Sequence, residues 1–262
     1  MNGTIERFNI FLKYKFLLTE LVSKDIKLKY RRSFLGYLWS ILNPLLQMLI
    51  MVVVFSNVFR FDIPNYPVYL ITGQTIFNYV SEATNQSMWS ILGNASLMKK
   101  VYIPKYIFTV SKVTSSMVNM IFSLAAMAVV LVVCKIKFSW AMIFIPVVIL
   151  QTYLFTMGLS MILATLTVFF RDIQYIYTAF LSAWLYLTPM FYPIQMLPPD
   201  LANAIKTYNP LYNYITQFRT ICLEGMVPNF KDVAQGFVVS MAFLLLGMVI
   251  FYKKQDKFIL YV

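Results

Sequence analysis

The residues able to do chemistry in this sequence are few, and most of them are cations. Glu82 is the single charge in the stretch 63–98. A lone carboxylate in an apolar segment is a candidate for an ion or proton pathway. Its alternative is to accept hydrogen bonds from neighbours such as Thr84 and Asn85, or from groups on adjacent helices. Asp25 and Lys29 stand four residues apart in an otherwise apolar helical arc, spaced either to pair with each other or to reach a buried polar partner. The other acidic residues are scattered, and no two aspartates are placed to share a divalent ion. The absence of histidine removes the commonest general base and metal ligand. Cys134 and Cys222 are too few and too distant for a zinc site and are expected to be free thiols. The eight glycines are isolated, with no G-x-x-x-x-G-K-S/T phosphate loop. These patterns argue against an enzyme and against ATP hydrolysis by the chain itself. A transporter or channel remains, and if nothing inside the chain harvests energy, a separate subunit must supply it.

The elements that must hold these residues are membrane spans. Hydrophobic residues make up 60% of the 262 and charged residues 12%, with a mean hydropathy of +0.71, about half the charge of a soluble domain. No charge occurs in 33–59, 113–134, 138–170, 173–199 or 233–252, and only Glu82 interrupts 63–98. Each block can hold a span of ~20 residues, which predicts six spans near 36–58, 68–91, 107–133, 141–168, 174–192 and 233–252. The fold class is therefore an all-α membrane protein, one domain over 1–262. With a cytoplasmic N-terminus, 16 of the 22 Lys and Arg fall inside and six outside (Arg60, Lys135, Lys137, Lys206, Arg219, Lys231), so both termini are expected in the cytoplasm. The net charge of +12 thus reads as topology rather than nucleic-acid binding. No cleavable signal peptide is expected, since the N-terminal stretch is basic and lacks a compact apolar core.

Residues 1–34 precede the first span. Lys13, Glu20, Lys24, Lys27 and Arg31 fall on one helical face and Phe11, Tyr14, Leu18, Leu21, Val22 and Leu28 on the other. That pattern suits a helix lying in the membrane interface or one packed on the rest of the protein. The external connection 193–232 holds five prolines, yet Leu201–Thr207 and Leu211–Leu223 stay apolar enough to form re-entrant short helices covered by the bundle. Pro44 and Pro189 interrupt the first and fifth spans and free carbonyls where a pathway can bend.

Several motifs carry a family resemblance. Asp25-Ile-Lys-Leu-Lys-Tyr-Arg-Arg-Ser-Phe-Leu-Gly-Tyr-Leu-Trp-Ser-Ile-Leu-Asn-Pro44, Val168-Phe-Phe-Arg-Asp-Ile173, Thr188-Pro-Met-Phe-Tyr192, Leu197-Pro-Pro and Tyr208-Asn-Pro210 occur in an order that resembles ABC-2 type permeases exporting cell-surface polysaccharides. O-antigen and teichoic-acid exporters are the nearest in pattern. The resemblance implies a permease homodimer in the bacterial cytoplasmic membrane, paired with two copies of an ATPase subunit that carries ATP and Mg. It also implies a polymer moved while attached to a polyprenyl pyrophosphate or comparable lipid.

Asn94–Pro104 resembles the family's coupling helix. Its Leu97, Met98, Val101, Tyr102 and Ile103, beside Lys99 and Lys100 and ahead of Pro104, suit docking in an ATPase groove; the alternative is a solvated positive loop. Lys29, Arg31, Arg32 and Arg171, next to Asp172, are the expected inner-surface cations for the pyrophosphate, since planar guanidinium donors match phosphate oxygens. Helix-end pairing and simple anchoring are the alternatives. Tyr37, Trp39, Phe77, Tyr79, Trp184, Tyr186 and Tyr192, on spans one, two and five, are candidates to stack on sugar rings in a channel, or else to act as interfacial or core residues. Trp184 and Tyr186, two apart, cannot both face the channel centre. An exporter of drugs or small lipids, an ion-coupled transporter using Glu82, and an assembly protein are the competing readings.

Overall fold

Each charge-free block of the sequence forms a helix whose ends fall where charge, proline or glycine returns. A computed structural model of the chain describes residues 14–31, 35–57 and 63–261, and every regular element among them is helical. In chain order they are α1 (Lys15–Tyr30), α2 (Trp39–Asn57), α3 (Tyr66–Met88), α4 (Ala95–Lys100), α5 (Tyr106–Val133), α6 (Ile145–Phe169), α7 (Ile173–Leu187), α8 (Pro199–Tyr208), α9 (Pro210–Arg219) and α10 (Phe230–Lys254), with short 3-10 or π turns between them. Arg32, together with Arg7, Phe11, Lys13 and Arg60, lies outside the described residues.

Four helices among the described residues are long and apolar enough to cross a membrane: Gly36–Ser56, Tyr106–Val133, Trp140–Phe169 and Phe230–Leu260. The other two expected spans are helical as well, but differ in kind. α3 is long enough, yet carries polar side chains along one face. α7 stops at Leu187, five residues short of the expected 192, because Thr188 adopts the extended backbone (φ −92°, ψ 121°) that a residue before proline prefers.

α3 is the central post of the bundle, with residues from Tyr66 to Met88 buried against α2, α5, α6, α7 and α9. Its buried threonine hydroxyls are satisfied within the helix: Thr72 donates to the Val68 carbonyl at 2.9 Å, Thr75 to Ile71 at 2.7 Å and Thr84 to Val80 at 2.7 Å. The tightest crossing lies between α6 and α10. A Cβ on Gly158 would stand 2.3 Å from the Phe243 carbonyl, and one on Gly247 would stand 2.3 Å from the Gly158 oxygen. Only glycine permits backbones to meet so closely.

α1 lies along α5, with Tyr14, Leu17, Leu18 and Leu21 packed on the core and Leu28 exposed. The expected split of polar and apolar faces holds for its first half. In the 193–232 connection, both expected short helices form. α9 is seated in the bundle through Leu211, Tyr214, Ile215 and Phe218, whereas α8 builds a small separate cluster of Ile194, Ala202 and Ile205. Both cysteines are free thiols, Cys134 half-buried and Cys222 buried.

Candidate functional site

The polar residues of the bundle converge because they recur at helical spacing. On α2 these are Ser40, Asn43 and Gln47; on α3 they are Asn78, Ser81, Glu82, Asn85 and Gln86; on α5 they are Asn119 and Ser123. All of these except Asn85 and Gln86, together with Trp39, Pro44 and Lys29, line an open groove of about 510 Å³. A second groove, about 780 Å³, runs on the other side of the same α3 face, between Asn85, Gln86, Met88 and Trp89 and the Gln174, Tyr175, Thr178, Ala179 and Ser182 side of α7. One polar wall of α3 thus borders both. Asn43, Gln47, Asn78, Trp89, Tyr175, Thr178 and Ser182 are all exposed along it. Amides and hydroxyls offer donors and acceptors in every direction, and Trp and Tyr add flat apolar faces with polar edges. Such a surface is unsuited to lipid tails, which accept no hydrogen bonds.

Glu82 sits in this wall as a bound carboxylate. Its Oε1 accepts from Lys29 Nζ at 2.8 Å, Gln86 Nε2 at 2.9 Å and Asn119 Nδ2 at 2.7 Å. Of the two sequence alternatives for Asp25 and Lys29, the structure takes the second: they do not pair with each other. Lys29 reaches Glu82 on α3, and Asp25 accepts from Lys112 Nζ at 2.7 Å and from the Ser115 hydroxyl at 3.3 Å on α5. Two ion pairs therefore fasten α1 to two different helices. Arg31 is exposed at the end of α1, and Arg171 and Asp172 are exposed at the turn into α7.

The residues expected to contact a polymer divide by burial. Tyr37, Trp39 and Tyr186 are exposed and Tyr192 is half-buried. Phe77, Tyr79 and Trp184 are buried within the chain and border neither groove. Trp184 packs edge-on to Phe155 and donates to Asn209, so it diverges from Tyr186 as their spacing demands. Trp89 and Tyr175 were not singled out from the sequence. Only the pairing of α3 with α7 brings them to one groove.

At the end of the bundle that carries α4, the segment Leu97–Pro104 is more anchored than its composition suggested. Met98 and Ile103 are buried and Leu97 is half-buried, leaving Val101 and Tyr102 as the exposed apolar residues beside Lys99 and Lys100. The expectation of five exposed apolar side chains is corrected accordingly: three of them pin the segment to the bundle. The Tyr14 hydroxyl donates to the Tyr102 carbonyl at 3.1 Å, and Lys105 donates to the Gln255 carbonyl at 2.6 Å. α1, the α4 segment and the chain's last turn thus form one connected surface.

The opposite end holds a feature the sequence did not disclose. Beyond α7 the backbone Thr188–Phe191 is irregular and buried, and side chains from elsewhere take up its carbonyls. Arg219 donates from Nη1 to Pro189 at 2.9 Å and from Nη2 to Met190 and Tyr69, each at 3.1 Å. Its guanidinium lies 3.4 Å from the centre of the Tyr69 ring. The Tyr66 hydroxyl donates to Phe191 at 2.7 Å, and that of Tyr69 lies 2.9 Å from the Tyr192 oxygen. Burial pushes the Arg219 guanidinium down to about 10, so it stays charged at neutral pH. Read from the sequence, Arg219 was simply one of six external cations.

Comparison with known proteins agrees with this architecture. Residues 17–223 match the model of the ABC-2 type transporter family. The chain is 32% identical over 247 residues to the O-antigen export system permease protein RfbA of Myxococcus xanthus, covering 94% of this chain and 95% of that one. It is 31% identical over 243 residues to the RfbA permease of Klebsiella pneumoniae, covering 92% and 93%. A more distant relative, at 20% over 240 residues and covering 89% and 91%, is the polysialic acid transport protein KpsM of Escherichia coli. The chain is an integral membrane protein and belongs to the ABC-2 type transporter family.

Proposed function

We propose that this chain is the membrane permease of an ATP-driven exporter that moves a cell-surface polysaccharide, attached to a polyprenyl pyrophosphate or comparable lipid, out of the cytoplasm. The observation that carries the reading is the exposed polar wall of α2, α3 and α7, edged by Trp39, Trp89, Tyr175 and Tyr186. It combines hydrogen-bonding groups for sugar hydroxyls with aromatic faces for sugar C–H surfaces. The names of the relatives point to the same substrate class. In this reading all six blocks span, α3 and α7 included, because their polar faces turn to a shared aqueous path between two copies of the chain. Both termini are cytoplasmic. Val101 and Tyr102, rimmed by Lys99 and Lys100, dock an ATPase subunit, and Arg31 and Arg171 stand at the inner surface to meet the pyrophosphate.

Affinity purification of the tagged permease from its native membranes tests the reading. A stoichiometric subunit with a phosphate-binding loop is expected, lost on Tyr102→Asp. Depletion of the permease should leave lipid-linked polymer on the cytoplasmic face. Recovery without any ATPase, in detergent that preserves a reference ABC complex, would overturn it.

A further inference from the structure

We infer that Arg219 is the positioning residue of the outer exit: it holds the turn Thr188–Tyr192 closed against α3 and must release it during export. This rests on the export reading above. The location supports it first. The exposed face of α7, from Tyr175 through Thr178 and Ser182 to Tyr186, runs directly into this turn, and the Tyr192 hydroxyl donates back to the Tyr186 carbonyl. Anything travelling along the wall leaves past these residues.

The bonding supports it next. α9 is tied to the turn at both ends. Asn209, at its start, donates to the Thr188 hydroxyl at 2.9 Å, accepts from Trp184 at 3.0 Å and caps Leu211 at 3.1 Å. Arg219, at its end, grips Pro189 and Met190. A helix of this length is a bar of about 15 Å, so the turn is held at two points along it, and only the grip at Arg219 also reaches across to Tyr69 on α3. Gly73 on α3 leaves the space the guanidinium fills, since a Cβ there would lie 3.2 Å from Nη2.

The chemistry of the grip makes it releasable. Among the described residues, no carboxylate forms an ion pair with Arg219. It is held by neutral carbonyls and a ring face, and its Nε–H is buried with no acceptor. A buried donor left unsatisfied raises the free energy of the closed arrangement. That penalty disappears once the group reaches water or another carbonyl, so the closed state is held without being made irreversible.

Cys222, one turn beyond Arg219, is a built-in reporter. It is buried, and burial pushes its thiol from 9.0 up to about 12. Exposure would return the ordinary value and raise the thiolate fraction on the order of 10³-fold at neutral pH. The experiment uses the permease carrying Cys134→Ser, in complex with its ATPase in proteoliposomes, and a membrane-impermeant maleimide on the outer face. Cys222 should be protected without nucleotide and labelled faster by about two orders of magnitude or more during ATP turnover. Arg219→Gln, or Tyr69→Phe if that variant does not fold, should label without nucleotide. Constant protection of Cys222 in a complex that is hydrolysing ATP and exporting polymer would make the turn a static fixture and sink the proposal. Absence of an ATPase complex would instead fail the export reading itself.

Discussion

At the scale of single residues, the informative contacts are those of a charge held inside the bundle. Glu82 accepts three donors on one oxygen, which is how a carboxylate behaves when it is part of the scaffold. A proton relay needs it to exchange partners. The two roles predict different outcomes for one pair of variants. Glu82→Gln leaves Lys29 beside an amide, and removing one member of a half-exposed pair costs about 1 kcal/mol. Export should fall and the melting temperature in detergent should drop by a few degrees. Adding Lys29→Gln should restore much of both, because the fault is a cation facing an amide where a carboxylate stood. Continued loss of export in the double variant, with stability regained, would return Glu82 to an ion-coupled role. The neighbouring pair Asp25–Lys112 makes a second test. Its side chains are 19% and 23% exposed, so a double-mutant cycle with Asp25→Asn and Lys112→Met should show coupling of about 1 kcal/mol.

At the scale of elements, helix existence and approximate ends were legible in the sequence, because freedom from charge over ~20 residues is a one-dimensional property. Partners were not. Whether Asp25 meets Lys29 or Lys112 depends on α5, and whether Phe77 faces a groove or the core depends on how α3 is rotated against its neighbours. The early end of α7 was written at Thr188-Pro189, where extended backbone was to be expected. Glycine positions carried a packing message that only the α6–α10 crossing makes readable. Gly158→Ala pushes a methyl into the Phe243 backbone, and overpacking of this kind costs about 1–3 kcal/mol. At Gly236 the nearest atom is the Gln151 Oε1 at 2.2 Å. A side chain can give way there, although Gln217 then loses its 3.0 Å bond to that oxygen. Gly93 has nothing within 4 Å. Thermal unfolding in detergent should therefore rank Gly158→Ala lowest and Gly236→Ala next, with Gly93→Ala near wild type. Equal values at Gly158 and Gly93 would contradict the close crossing.

At the scale of the whole molecule, the question is what the polar wall faces. A protein of this hydropathy hides hydrogen-bonding side chains from lipid, because an unsatisfied amide in hydrocarbon costs several kcal/mol. Yet α7 exposes Thr178 and Ser182, and α3 exposes Asn78, on the surface of the bundle. The two hydroxyls are satisfied within α7, Thr178 donating to the Gln174 carbonyl at 2.7 Å and Ser182 to the Thr178 carbonyl at 3.1 Å. The Asn78 amide reaches Gln47 at 3.3 Å and keeps the rest of its capacity free. The double variant Thr178→Leu with Ser182→Leu separates the possibilities. If this face met lipid, two leucines would suit it better, and export would be unchanged with stability equal or higher. If it lines a wet path for a sugar chain, the leucines remove hydroxyls at the edge of a groove bordered by Tyr175 and Trp89. Export measured by surface polymer should then fall several-fold, at roughly 1 kcal/mol per lost hydrogen bond. The ATPase subunit should still co-purify and hydrolyse ATP, because Val101 and Tyr102 are untouched. Loss of the complex together with loss of export would mean instead that this face is a dry contact between two copies, and the path would have to run along the α2 side of α3.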